Sequence, residues 1–490
     1  MLANRRGMMA IAMATAAALT AMASPVRADN APTTAPSTEA TVAALQAEVA
    51  SLHQEVNTLK QESGKNGVTV ADQQAVADQV LHDADQHSKL IADAGVTGGW
   101  DDKRGFFLGS NDGNFIFHPG LLFQYRGVVD DARGGRANGN TVTQQGFEVA
   151  RLKFFIDGNV FSPDLTYLFQ WTNTNNGGAP MLEMGYVQYV AAKNIFMGGD
   201  LAVKAGQFRD PVFAEDKRES DSQSLAVDHS LADALVGGTA VVGPLIQAAD
   251  VELVGKNTPI HLDVAFDDGD GSGNADFDNG RSSSPLISSG AIVTNWGALA
   301  RGEFKVKGNW ADDGNFTGKD AQSDLFIIGA GIGYSDISNA DVLRGEVDGQ
   351  YIIDGQWVFY GSLIGDNVDF RNNAFAGTSN DWGTVWQAGY FINPALQVFG
   401  RFDMTRLDDT AQDGYASNGA AGTRSLYEEV TTGANYFLGP AGSWGNRAKL
   451  TADVTYLPRG APVGVTFLDF LPNTAGHCEV VFRAQVQLAF

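Results

Sequence analysis

The sequence has little of what commonly cross-links or anchors a large chain. Its 490 residues include one cysteine, Cys478, so no disulfide can form within the chain. After the N-terminal leader, no apolar run approaches the roughly 20 residues that a membrane-spanning helix needs. Lys and Arg number 33 against 57 Asp and Glu. The first two deficits exclude a disulfide framework and a helical membrane domain, and the acidic balance argues against nucleic acid as a partner.

Glycine and aromatic residues, by contrast, are abundant. The chain has 58 glycines and 10% aromatic residues, which suits many strands joined by turns. A chain of this length would ordinarily suggest about three domains, but a single large β-barrel can use most of it.

The first 28 residues have the pattern of a secretory signal peptide. Arg5 and Arg6 precede an apolar, Ala-rich run from Gly7 to Ala23, and the small-x-small site Val26-Arg27-Ala28 follows. We expect export and cleavage after Ala28. A membrane anchor is the alternative, which the shortness of the apolar run disfavours.

Residues 29–99 are predicted to form a periplasmic linker and a short coiled-coil helix. The Pro/Thr/Ala-rich stretch Asn30–Ser37 reads as flexible. A heptad seam with Val at a and Leu at d follows, formed by Val42, Leu45, Val49, Leu52, Val56 and Leu59. Because the seam spans only about two and a half heptads, a short amphipathic helix packed on a barrel rim stays open. Gly95–Gly99 is predicted to be a hinge.

The last strand of the chain indicates how the remainder is organised. From Val480 to Phe490 every second residue is apolar, which is the period of a β-strand with one apolar face. An exposed strand of this kind recruits other chains, whereas a strand that closes a barrel has both edges paired. We therefore predict that residues 100–490 form an all-β, transmembrane antiparallel β-barrel of about 16 strands. The expected strands are 118–129, 146–160, 164–174, 181–191, 200–208, 249–255, 259–267, 296–309, 324–336, 342–353, 355–366, 382–392, 395–406, 425–438, 445–457 and 479–490.

Short turns alternate with long connections along these strands. Bacterial outer-membrane barrels have short periplasmic turns and longer outer loops, so both termini should lie on the periplasmic side. The connection 310–323 is long where a short one is expected, which leaves strand counts of fourteen and eighteen open.

Charged residues alternate with apolar ones on several predicted strands. Placing Arg or Lys against lipid near the bilayer centre costs about 2–4 kcal/mol, so these charges should face inward, toward water. A soluble two-sheet sandwich would show the same alternation strand by strand. The predicted lumen leans basic, which favours anions, although a mixed wall of paired charges stays open. The basic residues predicted to line it are Arg151, Lys153, Arg301, Lys305, Lys307, Arg344, Arg401, Arg447 and Lys449.

Three stretches resemble the phosphate-selective porin O/P family. They are Phe147–Lys153, Tyr186–Tyr189 and, most specifically, Lys204–Glu215 with its Gly-Gln-Phe-Arg-Asp-Pro core. The resemblance implies a trimeric, sixteen-stranded outer-membrane pore whose segment after Pro211 folds inward. Arg209, Lys217 and Arg218 are then candidates for the constriction, although a solvated outer loop is the simpler interpretation of that charge cluster.

The expected function is passive diffusion of small hydrophilic solutes across the bacterial outer membrane, with inorganic anions such as phosphate as candidate solutes. The expected partners are membrane lipid and further copies of the chain. A non-conducting surface adhesin or structural barrel is the alternative. We expect no enzymatic activity, because no nucleophile motif appears. We also expect no cofactor and no metal. The acidic loop after Asp268 has Asn279 where a calcium loop has its bidentate Glu.

Overall fold

The computed structural model describes residues 95–490, except for 102–104, 134–141, 175–179, 238–244, 269–293, 338–339, 372–376, 409–424, 463–464, 466–467 and 472–473. The predicted signal peptide, linker and coiled-coil seam lie outside the described residues, as does most of the acidic loop after Asp268.

Sixteen antiparallel strands form a closed barrel. Each strand from β3 to β18 pairs with the next in the chain, and β18 pairs back onto β3. Two short strands, β1 (Val96–Asp101) and β2 (Gly105–Ser110), precede them as a hairpin. The barrel strands are β3 (Ile116–Ala132), β4 (Val142–Asn159), β5 (Leu165–Thr174), β6 (Met181–Phe196), β7 (Gly199–Arg209), β8 (Leu245–Val254), β9 (Ile260–Asp267), β10 (Thr294–Lys307), β11 (Leu325–Ile337), β12 (Ala340–Ile353), β13 (Trp357–Phe370), β14 (Gly377–Asn393), β15 (Leu396–Arg406), β16 (Leu426–Phe437), β17 (Ala448–Leu457) and β18 (Glu479–Ala489).

The predicted barrel is confirmed, with each of its sixteen strands in place. Closure extends to the last residue, because the backbone groups of Phe490 and Leu121 exchange two hydrogen bonds of 2.6 and 3.0 Å. The hinge expected at Gly95–Gly99 is wrong, since Val96–Gly99 belong to strand β1 and pair with β2, and Gly95 is the turn residue before that strand.

Apolar side chains cover the outside of the barrel. Val347 is 62% exposed and Ile332 is 56% exposed, whereas their strand neighbours on the opposite face are buried. Aromatic residues concentrate near both ends, as with Phe326 and Tyr334 on β11. Eight residues separate these two, or about 26 Å along the strand. Aromatic girdles that flank an apolar band mark a transmembrane β-barrel of the bacterial outer membrane.

The two ends of the barrel differ in their connections. The turn end carries tight links such as Asp354-Gly355, where φ is positive at both residues (53° and 60°), as in a type I′ hairpin turn. The loop end carries the long connections, the most extensive of those described following β7. Residues 308–324 are the exception at the turn end: strands β10 and β11 lie where predicted, and the long connection between them folds into the barrel.

Helices contribute little to this architecture. A short helix α1 (Ala214–Arg218) and a π-helical turn (Asp233–Gly237) lie in the connection between β7 and β8. In the part of the chain that the structure describes, no helix is long and apolar enough to cross a membrane.

Candidate functional site

The residues after β7 form an inward segment, residues 210–237, that occupies the lumen. It begins where Pro211 ends the strand, because proline has no N–H to continue the ladder. Its backbone bonds to side chains all around the wall. The carbonyl of Val212 accepts from Arg301 on β10 (3.0 Å), that of Leu225 from Asn435 on β16 (2.9 Å), and that of Ser222 from Gln487 on β18 (2.9 Å). The inward fold implied by the family resemblance is thus present, and the interpretation as a solvated outer loop is wrong.

Asp228 ties the inward segment to three arginines of the wall. Its carboxylate oxygens lie 2.6 Å from Arg126, 2.9 Å from Arg151 and 3.3 Å from Arg483. The Asp228 side chain is fully buried, so water and salt screen these pairs less than exposed ones. Arg483 also pairs with Asp453 at 2.8 Å. Asp228 therefore joins β3, β4 and β18 through a single carboxylate.

Asp221 forms a second anchor beside the first. It lies 2.5 Å from Lys153, 3.2 Å from Arg151 and 3.3 Å from Arg209. Burial alone would raise the pKa of the Asp221 carboxyl, but the three cations outweigh burial and hold that pKa well below its usual range. Asp221 is therefore ionised at neutral pH and neutralises part of the basic cluster.

Arg301 is the centre of a third cluster, on β10 and β12. Its guanidinium lies 2.5 Å from Asp348, 2.9 Å from Glu303 and 3.5 Å from Glu346. Arg218 of α1 reaches the same Asp348 at 2.5 Å. The constriction candidate Arg218 is therefore part of a buried network in which each arginine serves several carboxylates.

The other predicted residues divide by position. Most lie inside the barrel and are paired: Lys217 with Asp263, Arg344 with Asp210 (2.7 Å), Arg401 with Glu429 (2.6 Å), and Lys449 with the carbonyl of Ser224 (2.6 Å).

Three predicted residues lie instead at the turn end. Lys305 is half-buried over the ring of Trp310, and Lys307 is exposed and pairs with Asp324 at 2.6 Å. A register shift that begins after Lys305 breaks the alternation from which the inward direction of Lys307 was predicted. Arg447 ends the 3-10 turn Gly445–Arg447 and precedes β17, so its prediction as a strand residue is wrong.

The sequence analysis missed many inward carboxylates. Asp250 and Glu252 on β8 surround Lys204, and Asp263 on β9 pairs with Lys217. Glu429 on β16 was overlooked in the same way. Among the buried charged residues, carboxylates outnumber basic groups. Their inward direction could have been predicted from the sequence, because Asp250 and Glu252 are two residues apart and therefore share a strand face.

A second piece of chain, which we call the turn-end segment (residues 308–324), meets the inward segment inside the barrel. The amide of Thr317 donates to the carbonyl of Gln223 (3.1 Å). Phe316 is fully buried and packs edge-on against Tyr360, with ring centroids 4.7 Å apart. The long connection that seemed misplaced in the sequence is thus a structural part of the lumen.

Comparison with known proteins finds only remote likenesses. No protein-family model matches the chain, and no curated relative was found. Solved structures with a similar fold are bacterial outer-membrane porins. An anion-selective porin from Comamonas acidovorans is 11% identical, with 76% of this chain and 100% of that chain covered and a TM-score of 0.47. OprB from Pseudomonas putida is 13% identical, with 76% and 94% covered and a TM-score of 0.49. The channel DcaP of Acinetobacter baumannii is 11% identical, with 78% and 99% covered and a TM-score of 0.46. Likenesses this distant say nothing about what crosses the barrel, and the phosphate-selective family remains a resemblance.

Proposed function

We propose that the chain is an outer-membrane porin through which small hydrophilic solutes diffuse passively. The observation that carries this proposal is the charged inner wall. A closed sixteen-stranded barrel whose inner face bears tens of ionisable groups would be costly to keep dry, at several kcal/mol for each buried ion. A water-containing lumen avoids that cost, and the inward segment then sets the width of the path.

The pairing of the basic residues bears on ion preference. The sequence analysis favoured anions, but Arg151, Lys153 and Arg218 each contact at least one carboxylate. A track of unpaired basic groups, which would suit phosphate, is not seen among the described residues. We therefore propose a general pore with weak or cationic preference, and phosphate is retained only as a solute to be tested.

A non-conducting barrel is the second candidate, and one observation favours it. The inward segment, the turn-end segment and the connection before β18 all enter the lumen, where Phe213, Phe316 and Leu231 are fully buried. Such packing could close the passage and leave a structural or adhesive surface protein. For either barrel we propose no enzymatic activity and assembly as a homo-oligomer, with the trimer as the state to test.

Single-channel recording in a planar bilayer separates these candidates. Steady conductance with a reversal potential near zero, or of cationic sign, in a salt gradient would support the general pore. Anionic reversal with block by low concentrations of phosphate would restore the phosphate-selective prediction. Folded, heat-modifiable protein that does not conduct would overturn the pore and support the closed barrel. Cross-linking in detergent gives the oligomeric state independently.

A further inference from the structure

One histidine of the inward segment is surrounded by carboxylates. The Nδ1 atom of His229 lies 3.3 Å from an Asp233 oxygen and 3.8 Å from an Asp216 oxygen. On the other side of the ring, Nε2 lies 3.7 Å from Glu219. Three carboxylates therefore surround one imidazole, whereas an ion pair needs only one.

Asp216 supplies a second, independent observation. Its side chain is only 7% exposed, its Oδ1 atom is the oxygen that faces Nδ1 of His229, and its other oxygen, Oδ2, is buried without a hydrogen-bond partner. The nearest guanidinium, that of Arg209, donates to the backbone carbonyls of Asp216 and Glu219 and pairs with Asp221 instead. A buried, unsatisfied carboxylate oxygen is costly, so this atom is poised for a ligand that would accept its lone pair.

We propose that Asp216, His229 and Asp233 bind a divalent first-row transition-metal ion of the zinc type. One ligand atom from each residue lies within 4.8 Å of the others. Zinc bonds to nitrogen and oxygen at about 2.0–2.2 Å, which places two tetrahedral ligands about 3.4 Å apart. The observed separations from Nδ1 bracket that value, so small side-chain movements suffice. One imidazole with carboxylates suits zinc and similar ions, whereas calcium and magnesium take oxygen ligands.

The surroundings already hold these ligands in place. Glu219 lies 3.7 Å from Nε2 of His229, beyond hydrogen-bond distance, and a small movement of either side chain would let it accept the Nε2–H. A carboxylate in that position orients most metal-bound histidines. Glu215 accepts from the amide and the hydroxyl of Ser230 at 2.8 and 2.7 Å. The Ser230 hydroxyl in turn accepts from the Asp233 amide at 3.0 Å. In this proposal Glu215 and Glu219 act as positioning residues, although their oxygens also lie within 4.8 Å of a His229 nitrogen.

Binding also has a defined proton balance. Without metal, the Nδ1 atom of His229 carries the proton that it donates to Asp233. The metal takes the lone pair of Nδ1, that proton leaves to water, and a water molecule completes the coordination. This inference does not depend on conduction, since a closed barrel would bind the ion equally well.

The test is zinc binding to the full-length, folded protein in detergent. Metal-stripped protein is titrated with zinc against a chromophoric chelator, in a Cys478→Ser background that removes the thiol. The wild type should bind one more zinc ion per chain than either Asp216→Asn or His229→Gln. Glu219→Gln should keep that site with an affinity about 10–100-fold weaker, because it removes only the orienting partner.

His118→Gln is the matched control, because His118 on β3 contacts a carboxylate, Asp157 at 2.6 Å, outside the inward segment. It should bind zinc as the wild type does. Equal stoichiometry in the wild type, Asp216→Asn and His229→Gln would overturn the proposal, as would absence of binding to the wild type. Should His229→Gln fail to fold, the near-isosteric Asp216→Asn decides alone, and cobalt absorption bands in the wild type, lost in that variant, report the ligand set directly.

Discussion

The two faces of strand β12 show how differently the inside and outside of this barrel are stabilised. On the outer face, Leu343 and Val347 are 45% and 62% exposed, as lipid-facing residues should be. On the inner face, Arg344, Glu346 and Asp348 are buried and bonded. Their partners are distant in sequence: Arg344 pairs with Asp210, the Ala214 amide donates to Glu346, and Asp348 binds Arg218.

The difference teaches that the stability of the outer face depends on the surrounding lipid, whereas that of the inner face depends on particular partner residues. Any apolar residue of suitable size can serve outside, because lipid is a uniform solvent. Inside, a buried charge is costly without a partner, so a single change has consequences at several strands. Four substitutions test this contrast.

The largest effect is expected from Asp228→Ala, at the point where three arginines meet the inward segment. Removal of one partner from a buried ion network leaves uncompensated charge and costs about 3–5 kcal/mol. Urea unfolding, followed by the loss of heat-modifiable migration, should show this decrease. Asp164→Ala removes an exposed pair with Lys193 and should cost at most about 1 kcal/mol. Equal effects of the two variants would contradict the assigned role of Asp228.

A comparable loss is expected from Phe316→Ala in the turn-end segment. This ring is fully buried against Tyr360, and truncation of a buried Phe typically costs about 3–5 kcal/mol. The same urea assay applies. Exposed Phe161 offers the control, since Phe161→Asn should leave stability nearly unchanged. If Phe316→Ala were neutral, the turn-end segment would not be packed in the lumen.

On the outer face, Val347→Arg is expected to cost about 2–4 kcal/mol, because it places a charge against lipid near the middle of β12. Val306→Arg makes the same change near the turn end, where the cost should fall to about 0–1 kcal/mol. Folding yield into lipid vesicles measures both. A cost that is independent of depth would contradict the assignment of this face to the bilayer.

The smallest effect is expected from Lys307→Ala. Its side chain is 62% exposed and pairs with Asp324 outside the buried networks. Exposed pairs contribute about 0–1 kcal/mol, and salt screens them. Neither stability nor conductance should change measurably. A clear drop in conductance would instead show that Lys307 lines the pore, as the sequence analysis predicted.

Much of the fold was predictable because strand periodicity is a local property. The sixteen strands follow from alternation and turn residues, and even the unusual length of 308–324 was visible. The candidate site was predicted less well. Lys307 and Arg447 were placed by extending an alternation past the strand's regular part, and Asp250 and Glu252 were overlooked although their spacing marks one face.

The sequence by itself determined that an alternating chain would close into a barrel with apolar residues toward lipid, since both are consequences of neighbours along one strand. Only the tertiary structure decided which charges meet. Asp228 contacts arginines from three strands, because the inward fold brings together residues that no local pattern relates. Charge pairing acts through space over a few ångströms, and sequence separation carries no record of it.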